Sequence, residues 1–379
     1  MPAKSSSFGA VMKEAFLHQP LQERQATQSL RQLRLPEGKT DFCSNDYLGM
    51  IYGGLIEKTM SSEDAAAPHG SGGSRLLAGN YPAIEALENL LAGFHEAPAA
   101  LLFNSGYDAN LGLLSCVPQR GDTIIYDTLI HASLRDGIRL SFARAFSFAH
   151  NDVAALDKRL QTATGNIFVV TESVFSMDGD EAPLAAMVHS CRQYGAHLIV
   201  DEAHATGVVG PKGQGLVQAL GLQDDCFARV HTFGKAVGCH GAVILGSDTL
   251  RQYLINFSRP FIYTTALPES SVAAIRTAYG LIPQLQAERQ RLRQLIAQFQ
   301  AATLPFQKLP STTPIQVVII PGNETVRRVA ARLQAAQLDV RPIQSPTVPQ
   351  GSERLRIVLH AFNTATEVDR LIQELCKTT

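Results

Sequence analysis

The sequence predicts an α/β fold: a large domain on a mainly parallel seven-stranded sheet, followed by a smaller C-terminal α+β domain. Two observations carry this. From about residue 82, short apolar runs alternate with stretches of helical period, the pattern of buried parallel strands and the helices that connect them. Beyond about residue 268 the alternation gives way to long Gln- and Arg-rich helices and then to three more strand candidates. A chain of 379 residues, 45% hydrophobic and 18% charged, can bury a core for both units.

Taken in order, residues 1–50 form an N-terminal helical segment. Val11, Phe16, Leu17, Leu21, Leu30 and Leu33 recur among polar residues and predict helix over 10–34. Residues 51–267 make the large domain. Its strands are AALLF (99–103), DTIIYD (122–127), RAFSF (144–148), NIFVVTE (166–172), HLIVDE (197–202), FARVHTF (227–233) and GAVILG (241–246). Helices such as PAIEALENLLAGF (82–94) and PLAAMVHSCRQYG (183–195) lie between them, the second opening on Pro183 and closing on Gly195 as helices prefer. Residues 268–379, linking helix included, make the small domain. Leu281, Leu285, Leu292, Leu295 and Phe299 mark one helical face there. The strands are IQVVII (315–320), LDVRPI (338–343) and RLRIVLH (354–360).

The charge balance, 33 basic against 34 acidic residues, argues against a nucleic-acid partner. No apolar run nears the roughly 20 residues of a membrane span, and Lys13 and Glu14 interrupt the only candidate for a signal-peptide core. Cys43, Cys116, Cys191, Cys226, Cys239 and Cys376 are scattered, without C-x-x-C or zinc-type spacing. Reduced thiols, no metal and a cytoplasmic location are expected.

In open α/β sheets, ligands bind beyond the carboxyl ends of the strands. Those ends here carry Asn104 to Tyr107, His131, Glu172 to Asp178, Asp201 to His204, and Thr232 to Lys235. Asp201 follows three buried-type residues; it either caps the next segment or faces a cationic ring nitrogen, which it would keep protonated. Lys235 stands in HTFGKAVGCHGA among small residues. It is either a surface lysine or an amine whose desolvation favours the neutral, nucleophilic form that makes an imine. Ser105-Gly106-Tyr107 opens a helical stretch, so free N–H groups there suit a phosphate, and the Thr232 hydroxyl could join them. A phosphate cradle, an acid for a ring nitrogen and a lysine for an imine together match the needs of pyridoxal 5'-phosphate. His131 could stack on the ring and His204 could project into the same site.

Several long motifs then fall in register. SNDYLG (44–49), GSGGSR (70–75), HAS (131–133), ESVFSMDGD (172–180), VDEAHATGVVG (200–210), TFGK (232–235) and PTVP (346–349) resemble those of the α-oxoamine synthases, in order over nearly the whole chain. The resemblance implies the pyridoxal-phosphate fold type I, like that of aspartate aminotransferase, and a homodimer with shared active sites. It implies that Lys235 binds the cofactor covalently, Asp201 pairs with the ring nitrogen, His131 stacks, and His204 and Ser176 reach the ring's phenolic oxygen. Gly106, Tyr107 and Thr232 would hold the phosphate, with Thr264 and Thr265 contributed by the second subunit. Arg356 would take the amino-acid carboxylate; Arg31, Asn45, Ser71 and Thr347 would complete the substrate site.

The implied reaction is decarboxylative condensation of L-alanine with a pimeloyl thioester on CoA or acyl carrier protein, with Lys235 as base. Glycine acyltransferases and serine palmitoyltransferase are the rivals within the family. A catalytically silent subunit would be expected to lack Lys235 or Asp201, and both are present. The chain reads Gln344-Ser345 before PTVP, where biotin-pathway members usually carry Arg-Pro. Cys239 and His240 receive no role.

Overall fold

In the computed structural model, residues 14–27, 29–33, 35 and 38–377 are described. The N-terminal helix covers Ala15–Ala26, shorter than the periodicity over 10–34 predicts. The Thr27 hydroxyl bonds back to Glu23 O, Ser29 N–H bonds to Arg24 O, and these contacts close the helix before Leu30 and Leu33 can join it. The helix buries none of its residues; Val11 lies outside the described residues. Strand β1 (Thr40–Asp41) then pairs far along the chain, parallel to Leu338 and Asp339.

Strands without polar alternation need cover on both faces, and the central sheet is built that way. Its members are β2 (Ala99–Phe103), β3 (Thr123–Asp127), β4 (Arg144–Phe148), β5 (Ile167–Glu172), β6 (His197–Asp201), β7 (Cys226–Thr232) and β8 (Ala242–Gly246). The order is β2-β8-β7-β6-β5-β3-β4, and only β8 runs against its neighbours. Val169, Val170, Ile199 and Val200 in the middle strands are fully buried. RAFSF differs from a buried strand: as β4 it forms the sheet edge and exposes Arg144, Ala145 and Phe146. Among the helices, Leu184–Tyr194 starts after Pro183 and stops at Gly195 in the left-handed conformation (φ 63°).

After the helices Glu269–Leu281 and Gln286–Ala301 comes a four-stranded sheet. It contains β9 (Gln307–Lys308), β10 (Ile315–Ile319), β12 (Arg341–Ile343) and β13 (Arg354–Val358), in the order β12-β13-β10-β9. The predicted strand 338–343 divides in two. β11 (Leu338–Asp339) joins β1, while β12 joins β13. The Gln334 side chain takes the carbonyl of Val340 at the junction, which removes that group from either ladder. Among the described residues no helix is long and apolar enough to cross a membrane.

Because β3, β5, β6 and β7 are parallel, they end on one side of the sheet, at Asp127, Glu172, Asp201 and Thr232. The antiparallel return from β7 to β8 makes 233–241 a closed loop, with Phe233 N–H on Gly241 O and Cys239 N–H on Phe233 O. That loop carries Lys235 to the same side.

Candidate active site

Lys235 is half-buried, with Ala236 and Val237 packed fully inside beneath it. Its Nζ stands 2.7 Å from His204 Nε2. Burial pushes the amine down to about 8, against the opposing pull of the carboxylates Asp201 and Glu172. Burial, and then the neighbouring Lys235 charge, hold the His204 imidazole well below its ordinary range. His204 is therefore neutral, with one ring nitrogen accepting and the other donating. Its Nδ1 lies 2.6 Å from the hydroxyl of Tyr47, which is wholly buried and donates to Asn45 Oδ1 at 3.1 Å. Asn45 Oδ1 also accepts Arg356 Nη2 at 3.0 Å. One chain of hydrogen bonds thus runs from Lys235 to Arg356.

Asp201, 5% exposed at the end of β6, accepts the Ala203 N–H on one oxygen and Asn110 Nδ2 on the other, at 2.8 and 2.7 Å. The Ala203 N–H contact is the turn-capping arrangement that the sequence allows. Asn110 comes from the helix Gly106–Cys116 and also reaches Ser133 Oγ, which in turn meets His131 Nδ1 at 2.8 Å. Glu172 is buried, accepts the backbone N–H of His131, and is pushed well above the ordinary carboxyl range by burial and then by Asp201.

The helix Gly106–Cys116 begins after Ser105, whose hydroxyl accepts the Asp108 N–H at 3.1 Å. The first N–H groups of a helix have no intrahelical acceptor, which suits an anion. A Cβ on Gly106 would come 3.2 Å from the Thr232 hydroxyl oxygen, so the missing side chain keeps the helix end and Thr232 together. The side chain of Tyr107 turns away and bonds Asp136. Thr264 Oγ1 and Thr265 O both accept from Asn104 Nδ2, one residue before Ser105.

Arg356, on β13, donates Nε to the carbonyl of Ser176 at 2.7 Å; the Ser176 side chain itself is buried. Ser71 is committed to the carbonyls of Gly73 and Ala266. Arg31 and Thr347 lie on a separate open groove of about 1280 Å³, lined also by Arg24, Arg327, Arg328 and Arg341. Arg341 stands directly opposite Arg356 in the β12–β13 ladder, so the groove adjoins the Lys235 cluster without sharing its hydrogen bonds. Ser345, the departure before PTVP, is held on both sides by Asn323.

Sequence reasoning missed Tyr47 and Asn110 as members of this site, and placed Glu172 among the strand-end candidates without giving it a role. Glu172 ends a strand and so carried the signal used for Asp201. Asn110 carried none and Tyr47 only its place in SNDYLG, because their site partners lie 91 and 157 residues away.

A weakened lysine amine, a buried carboxylate and an open helix end over a parallel sheet define a pyridoxal-phosphate type of site, and the fit can be tested on these residues. Among the described residues Asp201 is in no salt bridge. Asn110 Oδ1 beside it is buried without a partner. A protonated ring nitrogen satisfies such a carboxylate, and the helix end and Thr232 suit a phosphate.

Residues 37–375 match the model of the class I and II aminotransferases, and the chain belongs to that family. It is 44% identical to an 8-amino-7-oxononanoate synthase from Emericella nidulans, over 95% of this chain and 94% of that one. Among solved structures it is similar to a serine palmitoyltransferase from S. paucimobilis with bound PLP–myriocin (TM-score 0.85, 29% identity, 96% and 97% of the two chains). It is also similar to an 8-amino-7-oxononanoate synthase from Francisella tularensis (TM-score 0.76, 29% identity, 90% and 97%).

Proposed function

We propose that the protein condenses L-alanine with a pimeloyl thioester, on CoA or acyl carrier protein, to give 8-amino-7-oxononanoate, the biotin-pathway reaction of the relatives named above. The amino-acid α-carbon bonds to the acyl carbon, the C–S bond breaks, the carrier thiol leaves and the alanine carboxylate departs as carbon dioxide. The observation that supports the reading is the continuous chain Lys235–His204–Tyr47–Asn45–Arg356, which joins the amine read here as the base to the guanidinium read here as the carboxylate partner.

Pyridoxal phosphate, when bound, supplies a covalent partner for the substrate amine and a sink for the electrons left by proton removal. Lys235 would hold it covalently, Asp201 would keep its ring nitrogen protonated, and His131 would cover the ring. His204, with Ser176, would meet its phenolic oxygen. Gly106 and Tyr107, by backbone N–H, and Thr232 would hold the phosphate.

Lys235, its nitrogen freed when the substrate amine takes its place on the cofactor, would take the α-proton. An amine near neutrality is a competent base at working pH, which its burial arranges. Arg356 orients the carboxylate, as a planar guanidinium does best. Asn45 steadies Arg356 at Nη2, and Ser71 would border the substrate. Arg31 and Thr347 would face the acyl chain from the groove. Thr264 and Thr265 would complete the phosphate site of a second subunit, in a homodimer with shared sites. All six cysteines are free, which supports the cytoplasmic expectation.

The test is a thiol-release assay crossing alanine, glycine and serine with pimeloyl-, acetyl-, succinyl- and palmitoyl-CoA, with pimeloyl-carrier protein as a further acyl donor. Alanine with a pimeloyl donor should exceed every other pair. The greater structural likeness to serine palmitoyltransferase makes serine with palmitoyl-CoA the pair whose dominance would overturn the reading.

A further inference from the structure

His150 lies outside the residues assigned above, between β4 and the helix Val153–Leu160. Both of its ring nitrogens face carboxylates. Nδ1 stands 3.0 and 3.1 Å from the two oxygens of Asp127 at the end of β3, and Nε2 stands 2.8 Å from Asp180 Oδ2. A neutral imidazole has one donor and one acceptor, so carboxylates at both nitrogens select the doubly protonated cation. Asn151 closes the arrangement from a left-handed backbone (φ 54°), a conformation Asn tolerates better than most residues. Its N–H donates to Asp127 and its Nδ2 to Asp180, each at 2.8 Å. The Phe175 ring meets the imidazole edge to face at 4.4 Å.

Phe175 and Asp180 belong to the loop 173–182 that follows β5. Val174 and Glu181 bridge across it, and the Phe175 N–H donates to Asp180 O. Within it sit Ser176, whose carbonyl receives Arg356 Nε, and Asp178, ion-paired with Arg354. On its far side the Gly179 carbonyl accepts the hydroxyls of Ser311 and Thr313 at 2.6 and 2.9 Å. His150, Asp178 and Asp180 have the composition of a metal site, but Arg354 and His150 already supply the counter-charges of the two carboxylates. Through Asp180 the cluster ties the loop that carries Ser176 to the end of β3.

We propose that His150 is a positioning residue for recognition of the substrate carboxylate: held between Asp127 and Asp180, it fixes the 173–182 loop and, through the Ser176 carbonyl, the direction of the Arg356 guanidinium. This rests on the reading of Arg356 as the partner of the amino-acid carboxylate. A bidentate fork binds well only with its plane set in advance, so losing this tie costs substrate affinity rather than chemistry.

The test compares His150→Gln and Asp180→Asn with Arg356→Lys in the cofactor-loaded full chain. It reads steady-state kinetics with alanine and pimeloyl-CoA, and alanine Kd by calorimetry. His150→Gln should raise alanine KM and Kd about ten-fold, keep kcat within about two-fold and leave the pimeloyl-CoA KM unchanged. Asp180→Asn should do the same. Combined with Arg356→Lys, His150→Gln should add little, because both remove one interaction. Unchanged alanine Kd in His150→Gln, beside a raised Kd in Arg356→Lys, overturns the proposal. So does a joint worsening of both KM values and kcat with a lowered Tm, which marks a merely structural role. An unchanged Kd in Arg356→Lys removes the proposal with its premise, and places the failure in the reading of Arg356.

Discussion

At the scale of single residues, the Tyr47 hydroxyl decides which tautomer His204 adopts. With the Tyr47 proton on Asn45, His204 donates from Nδ1 to the Tyr47 oxygen and accepts at Nε2. An accepting Nε2 favours the ammonium form of Lys235. Tyr47→Phe removes the acceptor for Nδ1–H and leaves a buried donor unsatisfied, at a cost of about 1–3 kcal/mol. The Nε2–H tautomer then gains, the ammonium loses its acceptor, and Lys235 should titrate below its present value of about 8. The pH dependence of pyridoxal-phosphate association, which tracks the neutral amine, should shift its midpoint downward; an unshifted midpoint would uncouple Tyr47 from Lys235. Lys235, Asp201 and His204 were legible in the sequence because strand ends of a parallel sheet must converge, whatever the details of packing. Tyr47 and Asn110 were not: their positions depend on how distant elements dock, and while SNDYLG is a family motif, neither it nor DANLG shows which distant side chain its residue meets.

At the scale of elements, the 173–182 loop shows how a charged contact can make stability depend on pH. Burial alone would lower the His150 pKa, but its hydrogen bonds to Asp127 and Asp180 prevail and push it up to about 10. The groups facing it are Asp127 from the end of β3 and Asp180 from the loop, with Asp178 and its partner Arg354 at the margin. A folded pKa above the unfolded value, roughly 6.5, means that the stabilisation is whole below that unfolded value and is lost as pH rises through about 10. Denaturant midpoints of the native protein should therefore fall relative to those of His150→Gln between pH 7 and 10.5. A constant difference across that range would show His150 uncharged. The sequence marks 173–182 as a strand-end segment carrying most of the ESVFSMDGD motif, but nothing in it announces the contact with His150. The flanking elements were plain from Pro183, Gly195 and the apolar run of β5, since those depend on local backbone preferences. The N-terminal helix misled for the same reason. Its apolar spacing is local, while its end is set by the side-chain bonds of Thr27.

At the scale of the whole molecule, the proposed sharing of sites between two subunits has a consequence that no single-chain measurement can imitate. Asn104 ties Thr264 and Thr265 beside the opening of the helix Gly106–Cys116, on the strand-end side that also carries Lys235. If Thr264 and Thr265 serve the second subunit's phosphate, each site needs Lys235 from one chain and the threonine pair from the other. A Lys235→Ala chain and a Thr264→Ala/Thr265→Ala chain are then defective in different halves of a site. Pairing them in one dimer puts both defects into one site and leaves the other intact. Random reassociation of equal amounts makes half of the dimers mixed, each with one sound site of two, so activity should rise to about one quarter of the native value per chain. Self-contained sites predict a different result, in which the mixture gives only the mean of its two parents. Activity measured after denaturation and joint refolding, against the same proteins mixed while folded, separates the two arrangements. The folded mixture should stay near the parental mean until subunits exchange, which makes the rise with exchange time the direct sign of a shared site.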